Sequence, residues 1–165
     1  MNRNLLLIGL LAALASCEDG LKPPPNVEAG FGGTITFSSW PPRDSVKNLW
    51  LFASQPYPLD SVKIIQGLFS SPPSIFLYPA FDRSLPYSVD SVEYKFAPLP
   101  AGRYRYIGVI QQFNDVLSVR SFRVVGVYQN PSDTTQPGEV EFREFEFVPG
   151  INLHVNFRQP PPQPF

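Results

Sequence analysis

This chain of 165 residues has one cysteine, one histidine and no apolar run long enough to cross a bilayer. Without a second cysteine no internal disulfide can form, so an exported domain must be held by packing alone. His154 is the only imidazole, which leaves a histidine-rich metal centre or a Ser-His-Asp triad a single position to be built on. The 13 basic and 14 acidic residues nearly cancel, and the basic ones are dispersed, so the electrostatic footprint of nucleic-acid binding is missing. The longest uncharged apolar stretch, Leu5 to Leu14, spans about 15 Å as a helix. A hydrocarbon core is roughly 30 Å thick, which excludes a permanent transmembrane helix here.

What is present begins at the N-terminus. Arg3 precedes the Leu, Ile, Gly and Ala run of Leu5 to Leu14, the charge-then-apolar order of an export leader. The run ends in Leu14-Ala15-Ser16-Cys17, a branched apolar residue, two small residues and a cysteine. This string resembles the lipobox of bacterial lipoproteins. The resemblance implies cleavage before Cys17, a lipid thioether on its sulfur and an acylated amine, with the membrane as partner. Two or more chains are needed, because one acyl chain gives only marginal anchoring. An ordinary secretory leader with an incidental thiol is the alternative. Glu18 and Asp19 resemble the short signals that sort envelope lipoproteins to the outer membrane or its surface, and are otherwise a solvated start to a linker. The expected organisation is a signal peptide over 1–16, lipidated Cys17 with a tether over 17–30, a β domain over 31–158 and a proline-rich tail over 159–165.

Twenty prolines rule out long helices, and aromatics at 14% with many Val, Ile and Thr favour strands. Pro23-Pro24-Pro25 stiffens the tether, and the tail, rich in proline, lacks the amide donors needed to join a ladder. Between them, strands are expected at Thr34–Phe37, Asn48–Ala53, Val62–Ile65, Ile75–Tyr78 and Val92–Phe96, then at 103–112 and within 116–127. The unbroken apolar Leu49-Trp50-Leu51-Phe52 predicts a strand covered on both faces or bordering a second sheet. In 103–112 the alternation sets Tyr104 and Tyr106 away from Ile107 and Val109. Residues 139–148 lose phase between Phe142 and Phe145, as a β-bulge would allow, and Pro149-Gly150 then predicts a hairpin with 151–158. The Asp-Ser-Val triplets at 44–46, 60–62 and 90–92 read as local turn chemistry before a strand rather than as a structural repeat.

These signals point to an all-β fold, a single antiparallel β-sandwich of about seven to eight strands. Gly33-Thr34-Ile35-Thr36-Phe37, Asn48-Leu49-Trp50-Leu51-Phe52, Leu99-Pro100-Ala101-Gly102-Arg103-Tyr104-Arg105-Tyr106 and Phe147-Val148-Pro149-Gly150-Ile151-Asn152-Leu153 together resemble transthyretin-like or carboxypeptidase-regulatory-like domains. An immunoglobulin-like topology competes with that reading. Members of the resembled family are mostly accessory or binding modules, so the resemblance implies a non-enzymatic binding or assembly role with no cofactor. The family's hydrolases use several histidines, which this chain lacks.

No residue pattern carries catalysis. Glu139 and Glu141 share a strand face at about 7 Å, a glycosidase-like spacing, yet Glu alternating with Val and Phe is equally what a half-exposed strand needs. Asp82, Asp90, Asp115 and Asp133 are too scattered for a calcium loop, so no metal site is expected. Trp40 is the candidate ligand contact: held at a strand end by Pro41-Pro42, beside Tyr57 or Tyr87, it would stack on a sugar or a partner, or else fold back over the core. The partners so implied are an envelope protein or a glycan.

Overall fold

The structure, a computed structural model, describes residues 27–116 and 118–164. The leader, Cys17 and most of the tether lie outside these residues. The regular structure of the described chain is mostly β, with one α-helix. One sheet contains β1 (Gly30–Ser38), β2 (Asn48–Ser54), β3 (Ile75–Tyr78), β4 (Ser91–Phe96), β6 (Tyr106–Gln112), β7 (Phe122–Val127), β11 (Phe147–Val148) and β12 (Leu153–Asn156). Two short pairs stand apart: β5 (Gly102–Tyr104) with β10 (Val140–Phe142), and β8 (Gln129–Asn130) with β9 (Asp133–Pro137).

The sheet is mixed, which corrects the all-antiparallel expectation. β1 takes β4 antiparallel along one edge, while β11 and then β12 run parallel to it along the other. A parallel pair needs a long crossover. Here nearly the whole domain is the crossover. The hairpin expected around Pro149-Gly150 does not form either, because both of its arms follow β1. Phe31 faces Val148 and Ile35 faces Leu153, so one extra residue is absorbed between them. Gly150, at φ 81°, carries this jog, and the Ile151 amide still reaches the Gly32 carbonyl at 3.0 Å. The lost phase after Phe142 is a full turn with Phe145 at φ 62°, not a bulge; it sends β10 to β5 and β11 to β1.

From β1 the sheet continues through β12, β7, β6, β2 and β3. It curls until Tyr78 of β3 packs on Tyr94 and Phe96 of β4, with ring centroids 6.3 and 5.5 Å apart, so the architecture is nearly a barrel. The core sits inside the curl. Phe31 is at its centre, touching Tyr94, Phe96, Tyr104 and Phe142. The β5–β10 pair delivers the last two rings. Tyr104 therefore packs with Ile107 and Val109, against expectation, because Arg105 breaks the strand: its amide bonds Ser54, and only Tyr106 goes to the outer face. The Tyr104 hydroxyl donates to the Pro100 carbonyl at 2.8 Å and locks the preceding turn. Burial pushes that phenol up to about 12, a hydrogen bond with Gln55 opposing it.

Residues 61–69 form a helix, α1 (Ser61–Phe69), where a strand at Val62–Ile65 was expected. Two local causes override the β-branched residues. Asp60 caps the helix by accepting from the Lys63 amide at 2.8 Å, and Ile64 and Leu68, four apart, share the face that packs on the sheet. Gly67 permits the close approach, since a Cβ there would lie 2.6 Å from Ile75. Of the three Asp-Ser-Val triplets, the first closes a 3-10 turn, while the second and third open this helix and β4. At the other end, the tail joins no ladder. The Gln163 side-chain amide instead pairs with both the amide and the carbonyl of Val124, at 2.8 and 3.0 Å, covering the edge of β7 that β12 leaves after Val155.

Tyr94 ties β4 to the jog beside β1: its buried hydroxyl donates to the Ile151 carbonyl at 2.6 Å. We expect Tyr94→Phe to cost about 1–3 kcal/mol in urea unfolding with an unchanged m value, because a buried acceptor loses its donor. Burial, and then Tyr128, raise the phenol above its ordinary 10.0. Its contribution is therefore complete below pH 10 and is lost as the pH rises beyond it, so the variant should lose less stability than the parent in alkali.

Candidate functional site

The sequence-expected contacts do not converge. Trp40 is half-buried and folds back over the core, its ring 4.5 Å from Phe157, 4.9 Å from Phe37 and 5.0 Å from Tyr87. Its indole nitrogen donates to the Val89 carbonyl at 2.9 Å, and Tyr87 donates to Pro41 at 2.8 Å while Arg43 lies over its ring. Both polar tips are satisfied inside the protein. Tyr57 belongs to another group, stacked on Tyr106 at 5.5 Å on the outer face. Two of the glutamates are occupied: Glu139 pairs with Arg103, which faces Glu141 across the β5–β10 ladder, and Glu146 accepts from the Arg143 amide. His154 lies on the outer face, its ring nitrogens 3.0 and 3.3 Å from the hydroxyls of Thr36 and Ser38. Among the described residues, no three His, Cys, Asp or Glu side chains gather to hold a metal ion, and no helix is long and apolar enough to cross a membrane.

Two surface features remain. The first is a cleft of about 850 Å³ over β1, β12 and β7, walled by the β8–β9 hairpin and the tail. Thr36, Asn130, Asn152, His154, Asn156 and Gln159 give it amides, hydroxyls and an imidazole, and no charged side chain lines it. Its chemistry is hydrogen bonding to an uncharged polar group.

The second is an apolar groove of about 270 Å³ on the outer face of β2, β3 and β6. It exists because these strands have no wet face. Leu49 and Leu51 point into the curl while Trp50 and Phe52 point out, and all four are buried. Helix α1 covers one part of that outer face, and the loops carrying Phe81 and Val119 cover another. Between them lies the groove, with Ile65, Leu68 and Phe69 on the helix side and Phe81 and Phe122 opposite. Its rim is unusually exposed: Phe69 is 83% accessible, Phe81 55% and Ile65 50%, with Val62 at 62% on the same helix. Apolar side chains grouped like this mark a contact surface rather than scattered exposure.

Trp50 lines the groove, with Phe81 stacked on it at 5.3 Å and 3°. Its indole nitrogen is buried without a hydrogen-bond partner among the described residues. Leaving such a donor unpaired costs about 1–3 kcal/mol. The sequence held a signal for this site: Val62, Ile64, Ile65, Leu68 and Phe69 wrap more of a nine-residue helix than one packed face needs. At the helix start, the backbone bond from Lys63 holds the Asp60 carboxyl below its ordinary value.

Comparison with known protein families, with curated proteins and with solved structures finds no match to this chain. We expect Trp40→Ala to lower stability by about 3 kcal/mol in thermal or urea unfolding, the low end for a large aromatic because the ring is only half-buried. A variant of unchanged stability that lost glycan binding would make the ring a ligand platform instead.

Proposed function

We propose that this chain is an exported protein, lipid-anchored at Cys17 in the cell envelope at the outer membrane, whose β domain is a non-catalytic binding or assembly module. The groove between α1 and the Phe81 and Phe122 side chains is its contact surface. The observation that carries this reading is the exposed apolar rim around a groove floored by Trp50. Engagement of Glu139 by Arg103 and of Glu146 by a backbone amide supports a binding rather than a hydrolytic role. The anchor rests on Leu14-Ala15-Ser16-Cys17. The domain reads as a transthyretin-like sandwich, supported by the packing of Tyr104 and Phe142 from the β5–β10 pair against Phe31 of β1. Glycan binding is the second reading, and the uncharged amide and hydroxyl lining of the 850 Å³ cleft favours it over a role for Trp40.

Two experiments test the main reading. Metabolic labelling with a radiolabelled fatty acid should mark the wild type and not Cys17→Ala; a labelled, membrane-bound variant would remove the anchor. The groove should take up the neutral dye Nile red, with enhanced emission that falls at least fivefold in Ser118→Phe, which fills it. Unchanged emission in a variant with the parental circular dichroism spectrum would remove the groove as a contact surface.

A further inference from the structure

We infer that the partner of this apolar face is the lipid surface to which the chain is anchored, so that the domain lies against the bilayer instead of hanging free from it. The inference rests on the anchored reading above and names what the groove touches.

Its first support is reach. Nine residues, 18–26, lie between Cys17 and Val27, where the described chain begins. The ten Cα-to-Cα steps, at no more than about 3.6 Å each, extend at most about 36 Å. A domain of this size has a radius of gyration of about 14 Å, so its diameter is close to the length of the tether. The domain therefore cannot travel far from the bilayer, which holds the lipid surface at a high effective concentration.

The second support is shape and chemistry. The rim side chains protrude, with Phe69, Val62, Phe81 and Ile65 all at least half exposed. Val116, 64% exposed, precedes the segment that brings Ser118 and Val119 to the groove wall. Protruding Phe, Val and Ile are what a bilayer interface accepts, because each removes apolar area from water without needing a shaped partner.

Charge does not oppose the contact. No carboxylate lines the groove or the adjoining cavity of about 410 Å³, which shares Ser118, Val119 and Phe122 with it and includes Arg120. Asp60 and Asp115 are engaged by Lys63 and Lys47. Asp82 follows Phe81 at the rim, and Arg83 stands next to it. Arg120 is exposed, with no ion-pair partner among the described residues, and so is available to a lipid headgroup of net negative charge.

The test uses the full lipidated protein in vesicles of phosphatidylethanolamine and phosphatidylglycerol with brominated acyl chains. The chain has two tryptophans, so Trp40→Phe leaves Trp50 as the sole indole, on the floor of the groove. Trp50 emission should be quenched by the brominated chains. Phe69→Ser with Ile65→Asn should cut the bromine quenching at least twofold while the protein stays anchored, and Arg120→Glu should weaken it in these vesicles but not in phosphatidylcholine. Because Trp40→Phe perturbs the core, the same comparison is made by hydrogen exchange of α1 in the parent chain, where vesicles should slow exchange. Quenching that is absent, or equal in the parent and the double variant, overturns the inference. If Nile red still binds in that case, the groove serves a protein or another ligand and the proposed function stands; if it does not, both fall.

Discussion

Much of this structure depends on a sheet segment that has no wet face. In β2, Leu49, Leu51 and Ala53 fill the curl while Trp50 and Phe52 turn outward, and each is buried. A buried aromatic or aliphatic side chain contributes about 1.5–3 kcal/mol, so leaving the outer set exposed would forfeit a sizeable part of a marginal total. An outer layer is therefore required. It is built from α1 and two loops rather than from a second full sheet, and it does not close. The apolar groove is the opening left in that cover.

A second constraint acts at the chain ends. β1 uses both of its edges, pairing with β4 on one side and with β11 and β12 on the other. The first and last strands are thus neighbours and parallel, which makes the core depend on contacts between residues more than a hundred positions apart. Gly150 and the Asn152 side chain, which accepts from the Thr34 amide at 2.8 Å, keep that pairing continuous across a one-residue jog. Where β12 departs from β7, Gln163 of the tail substitutes for the missing strand.

The two indoles differ in how their polar tips fare. Trp40, at a strand end beside prolines, reads as either an exposed platform or a cap on the core, and the structure packs it among three rings with its nitrogen bonded to Val89. Trp50, within an apolar strand, reads as core and is buried, yet it is the one whose donor lacks a partner and which floors an open groove. Burial follows from local apolar pattern. Whether a polar tip finds an acceptor depends on a distant backbone carbonyl that no local pattern specifies.

The sequence by itself determined the β class, the places of β1, β2, β3, β4 and β7 and the two-sided cover of β2, because these follow from period-two alternation and proline punctuation. Only the tertiary structure decided the parallel course of β11 and β12 along β1, the break at Arg105 that turns Tyr104 inward, the helix at Ser61–Phe69 and the groove beside it. A strand's alternation fixes which side chains share a face, but not which neighbour it takes or in which direction. Val62 to Ile65 is compatible with strand or helix until the Asp60 cap and the close approach of Gly67 to Ile75 add their contributions. The groove is later still, since it is a gap between three elements and belongs to none of them.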